Sequence, residues 1–365
     1  MRGEILSLHL FDVGGTFDLA ELGRALSDRD AKRGPVIGKG TPPYVEFPQP
    51  LVVLHSPVEI ETPVGRAPAE VVLAFFALGV VSVRLRLKVD VEKFSELWNW
   101  NQSLVHMGTE RLLLEPAARQ IIERERAMWE PCVRERYTRK ILSESYTVFA
   151  FRDVSGHGEG VLKRHSHEVA GLLKGEDGSR LHEKEVQEGT RKWFSYYTDD
   201  LIVVDWDAAL LVDPDADYED LLFVLEIANL QLLEFRAYDD YLDDLIAKSY
   251  DELGKMYRRP SLIRNVRGTV HELSLIRMEV AELADEADNI TKFLGDWFLA
   301  RVYQAAQEKF HIPAWRASVD DKLATVNKLY QLANDEADSL RLITLELLIV
   351  LLFILDLLLL FFLRR

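Results

Sequence analysis

Residues 342–363 read LITLELLIVLLFILDLLLLFFL and are followed by Arg364 and Arg365. These 22 residues carry only two charges, Glu346 and Asp356. As a helix they would extend roughly 33 Å at about 1.5 Å per residue, enough to cross a bilayer. A lone segment in lipid has to satisfy its backbone internally, so the reading is a transmembrane helix. The two acids stand ten residues apart and project about 80° from one another, loosely on one side. Ionisable groups in hydrocarbon cost about 3 kcal/mol or more. Three roles stay open for Glu346 and Asp356: contacts between helices of an oligomer, an ion path, and snorkelling to the interface.

Upstream, no Gly or Pro interrupts residues 314–363. Apolar positions recur by sevens at Val319, Val326, Ala333 and Leu340, and at Leu323, Tyr330 and Ala337. A second seam runs through Leu273, Ile276, Val280, Leu283, Ile290, Leu294 and Trp297. A third passes through Leu221, Leu225, Ala228, Leu232, Phe235, Leu242 and Ile246, interrupted where Asp239 occupies an apolar position. Alternating three and four spacing is the pattern of packed helices. Pro260 and Pro313 fall in the connections, suited to first helical turns. The expectation is three long antiparallel helices, the last continuing into the membrane.

The part before these helices reads as α+β. A strand is expected over 5–11, ending in the turn Asp12-Val13-Gly14-Gly15, then a helix over 19–26 capped by Asp18. Further strands are expected at 45–47 and 51–54, an antiparallel pair at 71–78 and 80–89, and helix from 91 to about 142. Near Tyr146 the order strand, helix, strand pair, helix recurs: a strand over 146–154, a helix over 161–173, and a hairpin of 201–204 with 208–212. This suggests a duplicated unit. The expected domains are therefore 1–145, 146–216, a helical bundle over 217–341, and the span 342–363.

With 44 basic and 60 acidic residues the formal charge is −16, and a surface that binds nucleic acid by neutralising phosphates is disfavoured. Cys132 is the only cysteine, which excludes an intrachain disulfide and any CxxC site. Residues 1–11 lack the pattern of a signal or transit peptide, so the expected location is the plasma membrane: a single-pass C-terminal anchor with the N-terminal bulk in the cytoplasm.

No chemical motif carries its context. Asp12-Val13-Gly14-Gly15-Thr16 matches the phosphate-loop signature of actin-like sugar kinases, but a helix start follows where a second strand is needed. His157, His165, His167 and His182 cluster in sequence, yet two-residue spacing directs His165 and His167 to different helix faces. Asp213, Asp215 and Asp217 lack the glycine and terminal glutamate of a calcium loop. Cys132 has no base partner that the sequence identifies. No catalytic residue, metal site or cofactor is expected.

The runs Leu345-Glu346-Leu347-Leu348-Ile349 and Ile354-Leu355-Asp356 resemble the end of the RMD family ("required for meiotic nuclear division"), in which LExIIIxLIxxE places two acids ten residues apart. That resemblance implies a membrane-anchored, oligomer-forming protein of unestablished biochemistry, here of bacterial type. The architecture is also similar to CorA-type magnesium channels, though the Gly-Met-Asn pore motif is missing. The expected function is an oligomeric scaffold joined through its C-terminal helices, binding an unidentified protein and the lipid bilayer. The alternative is a subunit of a CorA-like cation channel or transporter.

Overall fold

A computed structural model describes residues 1–26, 32–33, 49–134, 136, 140–154, 158–258, 278 and 297–363. The chain divides into two compact units, Met1–Ala237 with Leu283–Trp315, and Tyr238–Glu282 with Arg316–Arg365.

The first unit is built on β1 (Arg2–Asp12), which pairs antiparallel with β6 (Val80–Asp90) on one side and β10 (Leu142–Phe151) on the other. Outward from β6 come β5 (Gly65–Phe75), β4 (Leu51–Thr62), β7 (Leu104–Met107) and β8 (Glu110–Leu113), with β3 (Lys32–Arg33) also paired to β4. Outward from β10 come β13 (Ala208–Val212), β12 (Leu201–Val204) and β11 (Trp193–Phe194). Segments 1–145 and 146–216 thus share one mixed sheet, in which the β10–β13 pairing is parallel. Thr16–Phe17 (β2) and Val133–Arg134 (β9) form a separate two-stranded ladder.

The period-two pattern assigns the two sheet faces. Ile5, Phe11, Val81, Val83, Leu85, Phe149 and Phe151 join one core with Ala117, Ala118, Ile121 and Ile122 of α2 (Leu114–Arg124) and Val161, Leu162, Val169, Leu172 and Leu173 of α4 (Glu159–Lys174). Two short helices, α1 (Leu19–Ala25) and α3 (Arg126–Trp129), pack at the edge of this layer. On the opposite face, α6 (Glu219–Arg258) meets β6 through Glu226, while Phe310, just past α7 (Trp297–Lys309), packs edge-on against Tyr146 of β10. Because the sheet has a helix layer on each face, its central strand is buried on both sides. Residues 222–235 of α6 are buried without exception, which fits a helix enclosed on all sides and not one with a single apolar stripe.

Most expected elements of this part are present. Asp18 caps α1 by accepting the Glu21 N–H at 2.9 Å, and the pair read around Gly79 is β5–β6. The hairpin at 201–204 and 208–212 is β12–β13. The helical pattern expected from 91 to about 142, with Pro116 and Pro131 as breaks or first-turn residues, is present as α2 and α3, but a β7–β8 hairpin, turned at Gly108 with φ of +69°, precedes them. The strand expected at 45–47 lies outside the described residues.

In the second unit, the C-terminal helix α8 (Ile312–Leu363) has 52 residues, about 78 Å of helix. Val319, Leu323, Val326 and Leu329 are buried, as are Leu242 and Leu245 of α6. Asp239, the apparent fault in the Leu221–Ile246 seam, accepts a hydrogen bond from Ser318 Oγ at 2.7 Å and is 2.9 Å from Lys322 Nζ, which also reaches Asp243 at 2.7 Å. Burial works against the Lys322 ammonium, but its bonds to Asp243 and Asp239 carry its pKa above the ordinary lysine value. A polar pair within an apolar seam specifies its register. The seam residues Leu273, Ile276, Val280, Leu283, Ile290 and Leu294 lie outside the described residues; Trp297 begins α7 and is 73% exposed.

The transmembrane span expected over 342–363 is overturned. Among the described residues no helix is long and apolar enough to cross a membrane. Glu346 and Asp356 bracket the nine residues 347–355, about 14 Å of helix against a hydrocarbon core of roughly 30 Å. The tail anchor, the single-pass plasma-membrane topology and the intramembrane role of the two acids fall with it. So does the CorA-like channel, which required that span.

Candidate functional site

The five residues of the phosphate-loop motif form a structural turn. Asp12 is buried, and its carboxylate accepts the Gly14 N–H at 2.7 Å. Gly14 has φ of +74°, and the Val13 N–H donates to the Gly79 carbonyl at 3.0 Å. The aspartate is thus spent on its own turn and faces no solvent in which a nucleotide-bound magnesium could sit.

The described histidines also have local partners. His165 Nδ1 is 3.2 Å from Glu168, and its ring stands edge-on to Phe94. His167 lies between the Gly178 carbonyl at 3.2 Å and Glu183 at 3.3 Å. His182 caps α5 (Glu183–Gly189) by accepting the Lys184 N–H at 3.2 Å. His157 lies outside the described residues. Cys132 is buried, and burial raises its thiol pKa, the opposite of what a nucleophile needs. Among the described residues, no group of three or more His, Cys, Asp or Glu is placed to hold a metal ion.

The acidic stretch lines a cavity of about 390 Å³ with Tyr196, Tyr197 and Phe298. Its carboxylates serve its walls. Asp200 accepts from Ser195 Oγ and the Tyr196 N–H, each at 2.8 Å; Asp213 accepts the N–H groups of Asp215 at 2.8 Å and Asp217 at 3.0 Å. These are loop-forming contacts.

Buried polar groups that the sequence reading passed over lie on the sheet. Arg84 of β6 donates to both carboxylate oxygens of Glu226, at 2.8 and 2.5 Å, and Ser82 adds a third bond at 2.6 Å. Tyr218 donates to buried Glu4, and burial, ahead of that bond, raises the phenol's pKa. Lys309 Nζ lies 2.8 Å from Asp205, with both side chains nearly buried. The alternation Val83-Arg84-Leu85-Arg86-Leu87 held the only signal of the first: it reads as a strand with one wet face, whereas α6 covers that face.

Among the described residues His9 is the most perturbed histidine. Its ring lies between Ser7 Oγ at 3.0 Å and Ser145 Oγ at 2.8 Å, and burial lowers its pKa from 6.5 to about 3. The folded protein therefore keeps His9 neutral in a range where the unfolded chain takes up a proton. Stability is fully present above pH 6.5 and falls as the pH drops toward 3. Between pH 7 and pH 5 the wild type should lose about 2 kcal/mol more stability than His9→Gln, measured by urea unfolding at both pH values. Equal losses would show that His9 does not titrate on unfolding.

The remaining feature is the end of α8. Leu342, Ile343, Leu345, every residue from Leu347 to Leu355, and Leu359 are exposed, distributed around the whole helix. Each of these large apolar side chains is more than half exposed, and together they offer on the order of 1,000 Å² of apolar surface, more than the few hundred Å² usual on a monomer. Glu346 and Asp356, the site residues named from sequence, are exposed on the same stretch.

A family model described as "Uncharacterized protein MJ0711, N-terminal domain" matches residues 2–219. The Uncharacterized protein MJ0711 of Methanocaldococcus jannaschii is 23% identical over 229 residues, covering 62% of this chain and 68% of that protein. No solved structure matches. The chain belongs to the MJ0711 N-terminal domain family, a family of uncharacterised proteins. The match ends at Glu219, the first residue of α6.

Proposed function

We propose that this member of the MJ0711 N-terminal domain family is a non-catalytic scaffold in which copies of the chain assemble through the end of α8. The observation that carries the reading is the apolar stretch that α8 leaves exposed on every side. A helix apolar all round is stable only when enclosed, and burying one leucine or isoleucine contributes roughly 1.5–3 kcal/mol. Association takes part of that surface out of water. The likeness of 345–356 to the RMD pattern supports the same reading, since oligomer formation is what that resemblance implies. The assembled helices would then present the α+β unit, on a chain with a formal charge of −16, to a protein partner.

Sedimentation of the full chain tests this. The expected mass is a multiple of the 41.9 kDa chain, reduced to a single chain by Leu347→Glu together with Ile354→Glu. A wild type that sediments as one chain at micromolar concentration would overturn the proposal.

A further inference from the structure

The contacts within the second unit determine which face of α8 is left to do the joining. Ser318 meets Asp239 and Lys322 meets Asp243, two pairs that are each 79 positions apart, while Lys322 also reaches back one turn to Asp239. Because both numbers rise together, α6 and α8 run parallel in this unit. At that offset Arg258, the last residue of α6, lies level with residue 337. Beyond it α8 continues to Leu363, outrunning α6 by about 26 residues, roughly 39 Å.

The seam does not stop where α6 does. Counting by sevens from the buried Val319 and Val326 gives Leu347 and Ile354; counting by sevens from the buried Leu323 gives Leu351. These three continue the stripe that packs lower down, and they are 66%, 51% and 63% exposed. At about 100° per residue, Glu346 lies roughly 110° and Asp356 roughly 170° from the centre of that stripe. Both acids therefore point away from it.

We infer that, past the end of α6, α8 pairs with the same stripe of α8 from a second copy of this chain, parallel and in register, through Leu347, Leu351 and Ile354. This rests on the assembly reading above and adds the face, the direction and the register. The parallel direction is the one α6 and α8 already take on this stripe, and an in-register parallel copy sets each a and d position against its own equivalent. Glu346 and Asp356 stay hydrated on the outer side, where they avoid the cost of burying like charges.

Cysteine placement tests the face, helped by the fact that the native Cys132 is buried and is the chain's only cysteine. In the full chain with Cys132→Ser, Leu351→Cys should form a disulfide-linked pair on mild oxidation, since equivalent seam positions meet across a parallel pair. Asp356→Cys should cross-link at least tenfold more slowly. Leu351→Asp should dissociate the assembly, whereas Asp356→Asn should leave its mass unchanged. An oligomer that cross-links at 356 as fast as at 351, or at neither, overturns the seam and leaves the assembly reading intact. A single-chain mass for the wild type overturns both.

Discussion

Replacing Arg84 with methionine should cost about 3–5 kcal/mol of stability, because it strands the Glu226 carboxylate, whose side chain is only 3% exposed. Arg84 donates to both oxygens of that carboxylate, and Ser82 cannot neutralise the charge left behind. The penalty belongs to the orphaned charge more than to the lost attraction. Arg84→Met with Glu226→Leu should therefore recover most of the loss and can exceed the wild type, since apolar replacements of a buried pair are often neutral or stabilising. Urea unfolding followed by tryptophan fluorescence would report this through the buried Trp100 and Trp129. A single variant within 1 kcal/mol of wild type would show that water reaches Glu226 and that α6 does not seal this face of the sheet.

Gly79→Ala should be comparably damaging for a steric reason. Gly79 has φ of +89°, where a side chain is strained by roughly 1–2 kcal/mol, and a Cβ there would stand 1.5 Å from the Gly15 carbonyl oxygen. That contact cannot be relieved by a side-chain rotation. The Asp12–Thr16 turn would have to move, giving up the bond from the Val13 N–H to the Gly79 carbonyl. The expected loss is about 3–5 kcal/mol, in the range reserved for backbone clashes and unsatisfied burial. Gly108→Ala separates the two causes, since Gly108 also has positive φ, at +69°, but has nothing within 4 Å of its Cβ position. It should cost only the strain of about 1–2 kcal/mol. Equal losses at both positions would mean that the close approach of the two turns is not what requires Gly79.

The same turn shows how far a motif can mislead. Asp12-Val13-Gly14-Gly15-Thr16 has the composition of a phosphate loop because both need an acid and backbone freed of side chains. What differs is the neighbour: Gly15 lies against the Gly79 turn and the Arg134 carbonyl, where a phosphate group would have needed open space. Asp239 misleads in the opposite way. It looks like a fault in an apolar seam until Lys322, 83 residues on, supplies its partner. Residues 342–363 were misread by counting length, since Glu346 and Asp356 divide a run that the total treats as continuous.

Local pattern was enough to establish the β1 strand, the Asp18 cap, the β5–β6 pair, the β12–β13 hairpin and the long α8 helix. Each depends on residues within a few positions of one another: alternation, a capping oxygen, a turn glycine, an uninterrupted helical run. Tertiary structure alone decided that β1 and β10 join both halves into one sheet, that α6 closes over Arg84, and that His9 is neutral. Those outcomes depend on which distant surface arrives to exclude water. A charged or polar side chain reads the same in sequence whether its face stays wet or is covered, and only the covering element sets its partner, its protonation and its contribution to stability.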